Sequence, residues 1–276
     1  MTTTTPWVGR NRPAIDAGEI VTGATTYVTD LRPEAVLHGA VLRSNLPHAT
    51  IERIDVSAAR ALAGVHCVLT AAEVPVNALG PREVDGPVLA ADRVRQVGEA
   101  IALVAADDEA TAHAALAAIE LDLIPLPVVD GPEAAAAPDA ALLHWTGYIS
   151  GRIAFSSGDV EHAISGAALV LRRDVTTPSQ EHVAIDTPGG VAVVESETIT
   201  IWCGSQNPGL HQRKVARALD VDVADVRMIA NPVGGAFGSR NDDPMPVYLA
   251  LLARATGRPV RVHMTREETM AAGAKR

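Results

Sequence analysis

The chain has 276 residues, enough for one large domain or two ordinary ones. Hydrophobic residues make up 47% and charged residues 20%, as in ordinary globular chains, while aromatics at 3% leave the cores to Val, Leu, Ile and Ala. A formal net charge of −10 argues against nucleic acid as the main partner, because holding phosphates needs a basic field; only a local basic patch stays open. Residues 1–20 are polar and turn-rich, an expected arm without the apolar core of a secretion signal. No stretch approaches a membrane span, so a soluble cytoplasmic protein is expected.

Residues 37–43 read as a strand, and 49–55 alternate as a second one. Residues 57–62 form a short helix, with Asp55 or Ser57 as cap and Gly64 as stop. Residues 65–70 read as a buried strand, whose end Thr70-Ala71-Ala72-Glu73 has capping-box spacing. Residues 93–99 lead into a central strand over 100–105, followed by an Ala-rich helix over 108–119. The prolines of 121–128 push that strand towards an edge. Gly131, Pro132 and Pro138 bracket an Ala-rich linker, the best boundary in the chain.

In the second half, residues 157–163 begin a short helix and 169–177 read as a strand. Residues 191–195 and 198–202 form a hairpin around Ser196-Glu197. An amphipathic helix over 209–219 carries basic residues on one side, and 226–230 is a strand. A helix over 244–256 stops at Gly257-Arg258-Pro259, then come a strand over 260–264 and a last helix capped by Thr265.

Two stretches could carry chemistry. Pro232-Val233-Gly234-Gly235-Ala236-Phe237-Gly238-Ser239-Arg240 lies between a strand and a helix. Glycine tolerates positive φ and lets backbone press against a ligand, and loop N–H groups near a helix start suit an anion. The same residues also read as a plain strand-to-helix turn, and the loop has neither P-loop nor GxGxxG spacing. Gly204-Ser205-Gln206-Asn207-Pro208 ends the hairpin strand; a glutamine amide donates and accepts at once, whereas Asn-Pro also simply starts helices. The nine histidines form no ligand pattern, and there is no HExxH or GxSxG. Cys67 and Cys203 lie far apart in apolar runs and read as buried reduced thiols, so the chain cannot by itself hold an iron–sulfur cluster on four thiolates.

The order of these two stretches resembles the molybdenum-cofactor (large) subunit of the xanthine dehydrogenase and aldehyde oxidase family, with its (S/T)xQNP segment and later GGGFGxK loop. Gln180-Glu181-His182, Gly257-Arg258-Pro259-Val260-Arg261 and Thr265-Arg266-Glu267-Glu268 extend the likeness. So do Val21-Thr22-Gly23, Leu37-His38-Gly39, Arg43-Ser44 and Val97-Gly98-Glu99 in the first half. The resemblance implies an α+β chain: an arm over 1–20, an α/β hammerhead domain over 21–130, a linker over 131–147, and over 148–276 the first part of an aldehyde oxidase/xanthine dehydrogenase molybdopterin-binding domain.

It also implies hydroxylation of a carbon on an aldehyde or N-heterocycle, with water as the oxygen source. The cofactor would be molybdopterin, in its cytosine dinucleotide form, carrying molybdenum held through the pterin with no direct protein ligand. Gln206 would stand beside the metal's oxo group, and Gly235, Ala236, Phe237, Gly238 and Arg240 would line its metal end. Asn241 and Glu181 are substrate-pocket candidates. Asn241 stands where xanthine-type members carry a glutamate, so the carboxylate that would hold a purine is missing. Ala236 replaces a glycine, which is tolerable if its φ is negative. The family's general base lies in a C-terminal half that has no counterpart here, so no residue of this chain is assigned that role. The expectation is a split subunit, with a second polypeptide bringing that half and with 2Fe-2S and FAD subunits taking the electrons. The alternative is a truncated, non-catalytic homologue acting as a scaffold or cofactor-handling partner.

Overall fold

The computed structural model describes residues 9–80, 84–145, 147–149 and 151–273; residues 1–8 of the expected arm and residue 146 of the expected linker lie outside these. The remainder of the arm includes α1 (Ala17–Thr22), which buries none of its residues. Then come β1 (Leu37–Arg43), β2 (Ala49–Asp55), α2 (Ser57–Ala61), β3 (Val65–Leu69), β4 (Arg93–Val94), β5 (Ala100–Ala106), α3 (Glu109–Ala117) and β6 (Glu120–Pro125). The linker region holds α4 (Pro132–Ala135), and α5 (Val160–Ser165) follows. The last part runs β7 (Gly189–Glu195), β8 (Thr198–Gly204), α6 (Pro208–Leu219), β9 (Val226–Asn231), α7 (Met245–Thr256), β10 (Val260–His263) and α8 (Arg266–Ala272).

Local chemistry sets most of these boundaries. Asp108, Asn207 and Thr265 each accept a backbone N–H in the first turn of α3, α6 and α8, which satisfies a donor the helix itself cannot. Glu268 answers at the Thr265 N–H, closing a capping box, and Thr70 with Glu73 does the same for a single 3₁₀ turn. Gly257, at φ 62°, ends α7 in the left-handed region. At α2 the N-cap position is Val56; Asp55 supports the turn from one residue earlier by accepting from the Ser57 N–H.

Seven strands form one sheet in the order β3-β5-β1-β10-β7-β8-β9, and β4-β2-β6 form a second. The large sheet therefore runs through both halves of the sequence. Its joint is the parallel pairing of β1 with β10, Leu37 opposite Val260 and Gly39 opposite Val262. A Cβ on Gly39 would lie 2.5 Å from Val262 Cγ2 and 2.8 Å from Leu252 Cδ1, so glycine is what lets α7 close over the joint. The main core accordingly mixes Leu37, Val41 and Leu103 with Ile201, Leu249 and Leu252. β5 is buried at every position, as a central strand should be, and β6 is an edge strand of the small sheet.

Two expectations are corrected. Residues 169–177 form no strand: they sit in a stretch, 151–180, in which every residue is exposed. No neighbouring strand completes a ladder there, and an unpaired extended segment has no inter-strand hydrogen bonds. β3 is buried only at Val68 and Leu69, because it ends the large sheet and has a neighbour on one side alone. Lys214, one of the basic residues of α6, is buried. Cys203 is buried and Cys67 half-buried; both are unpaired, and burial raises their thiols to about 12 and about 11, which keeps them protonated and unreactive.

Leu252→Ala should cost roughly 2–5 kcal/mol in denaturant unfolding, since the side chain is fully buried. Because Leu252 packs at the joint, amide exchange in β5 and in β8 should quicken together. Faster exchange confined to β8 would show that the two halves do not share a core.

Candidate functional site

The site starts from strand register. β8 and β9 run parallel and finish side by side, with Gly204 opposite Asn231. The Ser205-Gln206-Asn207 turn and the 232–240 loop therefore leave the same edge of the sheet, at the carboxyl ends of two parallel strands, where open sheets leave a crevice. They are tied together: the Gln206 N–H donates to Arg240 O at 3.2 Å.

The loop's shape comes from alternating conformations. Gly235 and Gly238 have φ 104° and 106°, and Phe237 has φ 52°, whereas Ala236 is not among the positive-φ residues, so its methyl costs no strain. Ser239 donates its N–H and its hydroxyl to Ala236 O, and the Asn241 N–H goes to Gly238 O. The N–H groups of Gly235, Ala236, Phe237 and Gly238 donate to no described residue. Successive unsatisfied N–H groups in a loop that switches sign of φ form a concave donor surface, suited to oxygen atoms of an anionic group. Phe237 is 65% exposed beside it.

Beneath the loop, two buried cations each face a carboxylate. Arg240 is fully buried, and its Nη2 donates to Asp186 O at 2.6 Å and lies 3.6 Å from Asp186 Oδ2. Its guanidinium thus points inward, while its backbone carbonyl holds Gln206. Lys214 forms an ion pair with Asp242, and burial lowers its ammonium to about 8, against the pull of the nearby Asp243 carboxylate. Burial likewise raises the Asp243 carboxyl, although the Met245 N–H and the charges of Arg240, Arg43 and Lys214 oppose it.

The Gln206 turn has its own support. Ser205 Oγ accepts the Asn207 N–H at 3.1 Å and lies 2.9 Å from His211 Nδ1, so the serine hydroxyl bridges turn and helix. His211 is 1% exposed, and burial, helped by the Lys214 charge, lowers it to about 4. It is a neutral imidazole near pH 7, able to accept the Ser205 hydroxyl proton.

Gln206, Phe237 and Asn241 are exposed around the loop. Glu181 stands apart from them, lining a cavity of about 380 Å³ with Asp186, Ser239, Asp243, Tyr248 and Arg266. Asp186, His211, Lys214 and Asp243 escaped sequence reading. The turn-forming run Asp186-Thr187-Pro188-Gly189 marks the place of Asp186, but nothing in it signals a contact with a loop far along the chain.

A family model for the aldehyde oxidase and xanthine dehydrogenase a/b hammerhead domain matches residues 22–127, and one for a molybdopterin cofactor-binding domain matches 146–276. Over 93% of the chain the sequence is 41% identical to a probable xanthine dehydrogenase subunit of Bacillus subtilis, of which it covers 35%. It is 32% identical over 98% of the chain to the nicotinate dehydrogenase large molybdopterin subunit of Eubacterium barkeri, of which it covers 64%. Among solved structures, the aldehyde oxidoreductase of Desulfovibrio gigas superposes with a TM-score of 0.86 at 30% identity, over 96% of this chain and 31% of that one. The chain belongs to the xanthine dehydrogenase and aldehyde oxidase family, to its molybdopterin-cofactor-binding subunits, and spans about a third of the length of most relatives it matches.

The His211 shift has a definite sign. With a folded value near 4 against 6.5 for a free imidazole, stability is fully present above pH 6.5 and is lost as pH falls towards 4, because only the unfolded chain takes the proton. Denaturant unfolding at about pH 7 and about pH 5 should show His211→Asn losing less stability than the native chain over that interval, by about 2 kcal/mol. Equal losses would mean that His211 titrates freely.

Proposed function

Starting from a chain of this family, we propose that it forms one wall of the molybdopterin site in a molybdenum hydroxylase that oxidises an aldehyde or N-heterocycle carbon with oxygen from water. The observation that supports this reading is the pairing of two loops at one sheet edge: Gln206 and the four free N–H groups of 235–238, locked together by the bond from Gln206 N–H to Arg240 O.

The residues present fit the cofactor. The concave N–H surface suits oxygen atoms on the group, and glycine at 235 keeps it open, since a Cβ there would lie 3.3 Å from Phe237 Cε2. When bound, molybdopterin supplies the molybdenum centre at which water oxygen reaches the substrate carbon and two electrons are collected. The Gln206 amide can donate to an oxo oxygen or accept from a substrate N–H, which orients the group that reacts. The exposed Phe237 ring excludes water beside that edge. Asn241, neutral where a purine oxidase would place a carboxylate, directs the site to aldehydes and N-heterocycles other than purines. Arg240 acts through its backbone and its buried pairing, and Glu181 lies in the inner cavity on the substrate side.

The same reading gives the cofactor its cytosine dinucleotide form and divides the chain into a hammerhead domain over 21–130 and a cofactor-domain portion over 148–276. Electrons leave through 2Fe-2S and FAD subunits. A polypeptide equivalent to the C-terminal half of the relatives supplies the general base. The fully exposed stretch 151–180 supports such a partner: Ile153, Phe155 and Val175 are 92%, 94% and 85% exposed, and large apolar side chains left this open along one segment suit a contact surface. The cytoplasm is the proposed location, in keeping with two unpaired thiols.

Co-expressed with its partner subunits, the chain should carry roughly one molybdenum, held with its pterin. Gln206→Ala should lower turnover of an aldehyde by about a hundredfold with little change in melting temperature. A stable complex free of molybdenum would point instead to a scaffold. In the complex, residues 151–180 should resist limited proteolysis that cuts them in the isolated chain; equal cleavage in both would remove the partner from this surface.

A further inference from the structure

We propose that Asp186, outside both recognised loops, is the positioning residue that holds the cofactor loop in register with Gln206; this rests on the reading of 232–240 as a cofactor loop. Asp186 meets the loop at both ends. At Gly234 it exchanges two hydrogen bonds, its own N–H donating to Gly234 O at 3.2 Å and its Oδ2 accepting the Gly234 N–H at 3.3 Å. At Arg240 its carbonyl accepts from Nη2 at 2.6 Å, with the carboxylate 3.6 Å away. The Arg240 carbonyl in turn accepts the Gln206 N–H. One aspartate therefore connects the start of the loop, its end and the glutamine turn.

The approach is close, since a Cβ on Gly234 would sit 2.7 Å from Asp186 Cβ, and it is largely shielded from solvent: the side chains of Asp186 and Arg240 are 9% and 1% exposed. A charge-assisted bond in such surroundings is stronger and more directional than one in water.

The segment that presents Asp186 is itself clamped. Arg266 Nη2 donates to Ala184 O at 2.6 Å and to Ile185 O at 3.0 Å, so two arginines take three successive carbonyls. Just before them Val183 has φ 51°, a conformation that a β-branched residue adopts only when its surroundings impose it. The strained strut is backed from behind by Arg266 and faces the loop through Asp186. Residues 235–238, which carry the four free N–H groups, bond only to the next residues along the chain, Ser239 and Asn241. Their placement follows from the two ends that Asp186 holds.

The test is hydrogen exchange on the full chain with its co-expressed subunits, read at the bonded amides of Gln206, Gly234, Ser239 and Asn241, with β5 amides as control. Asp186→Ala should quicken the four by about tenfold and leave β5 unchanged. Asp186→Asn keeps an oxygen for the Gly234 N–H and should stay within about twofold of the native rate. In the loaded complex, Asp186→Ala should also broaden the Mo(V) paramagnetic resonance signal, reporting a cofactor held in several orientations. The proposal is overturned by unchanged exchange in Asp186→Ala, by a rise shared equally with β5, or by an Asn variant no better than Ala. A native complex without molybdenum would defeat the cofactor reading alone, because the exchange comparison judges the strut without any cofactor.

Discussion

Pairing between β1 and β10 is the constraint from which the other features follow. It is parallel, so no short turn can make it, and its partners lie near opposite ends of the sequence. Without it, β3, β5 and β1 would form one small sheet and β10, β7, β8 and β9 another, each with an open edge. With it, α7 has a single surface to cover, and its fully buried Leu249 and Leu252 help to form a core drawn from both halves. β8 pairs with β9 within the second of these groups, where the Gln206 turn and the glycine loop emerge, and the joint sets that pair on one framework with the first half.

Most elements were legible because their signals are local. Thr265 as a cap, Asn207-Pro208 as a helix start and the glycine at 257 each act within a few residues, and the structure has them in those roles. What failed to read depends on distant partners. Residues 169–177 have strand composition but no strand beside them, and β3 is less buried than its apolar run suggests because the sheet ends there. The same division holds at the site. Gln206 and the loop glycines could be picked out by residue type and spacing, whereas Asp186 could not, since its meaning lies in Gly234 and Arg240 rather than in its neighbours.

Charged groups lie under a loop that an apolar layer could have supported. Arg240 is buried against Asp186, and Lys214 and Asp243 carry a desolvation cost, shown by the lowered Lys214 ammonium and the raised Asp243 carboxyl. Apolar packing tolerates sliding; a guanidinium on a particular carbonyl does not. Ionic pairs here give up some stability for a single backbone arrangement at the surface above them. The neutral His211 under Ser205 serves the neighbouring turn in the same way, but by a bond that carries no charge.

The exposed stretch 151–180 has a consequence for how the protein is made. Its apolar side chains are the kind that associate with one another when nothing else covers them, and extended backbone with open hydrogen-bonding groups adds to that tendency. A cell producing this chain in excess over whatever covers the stretch would accumulate aggregates and degradation products. On the proposed reading, in which a separate polypeptide covers the stretch, synthesis of chain and partner is to be matched in amount and in time, so that a feature of surface packing becomes a demand on gene expression.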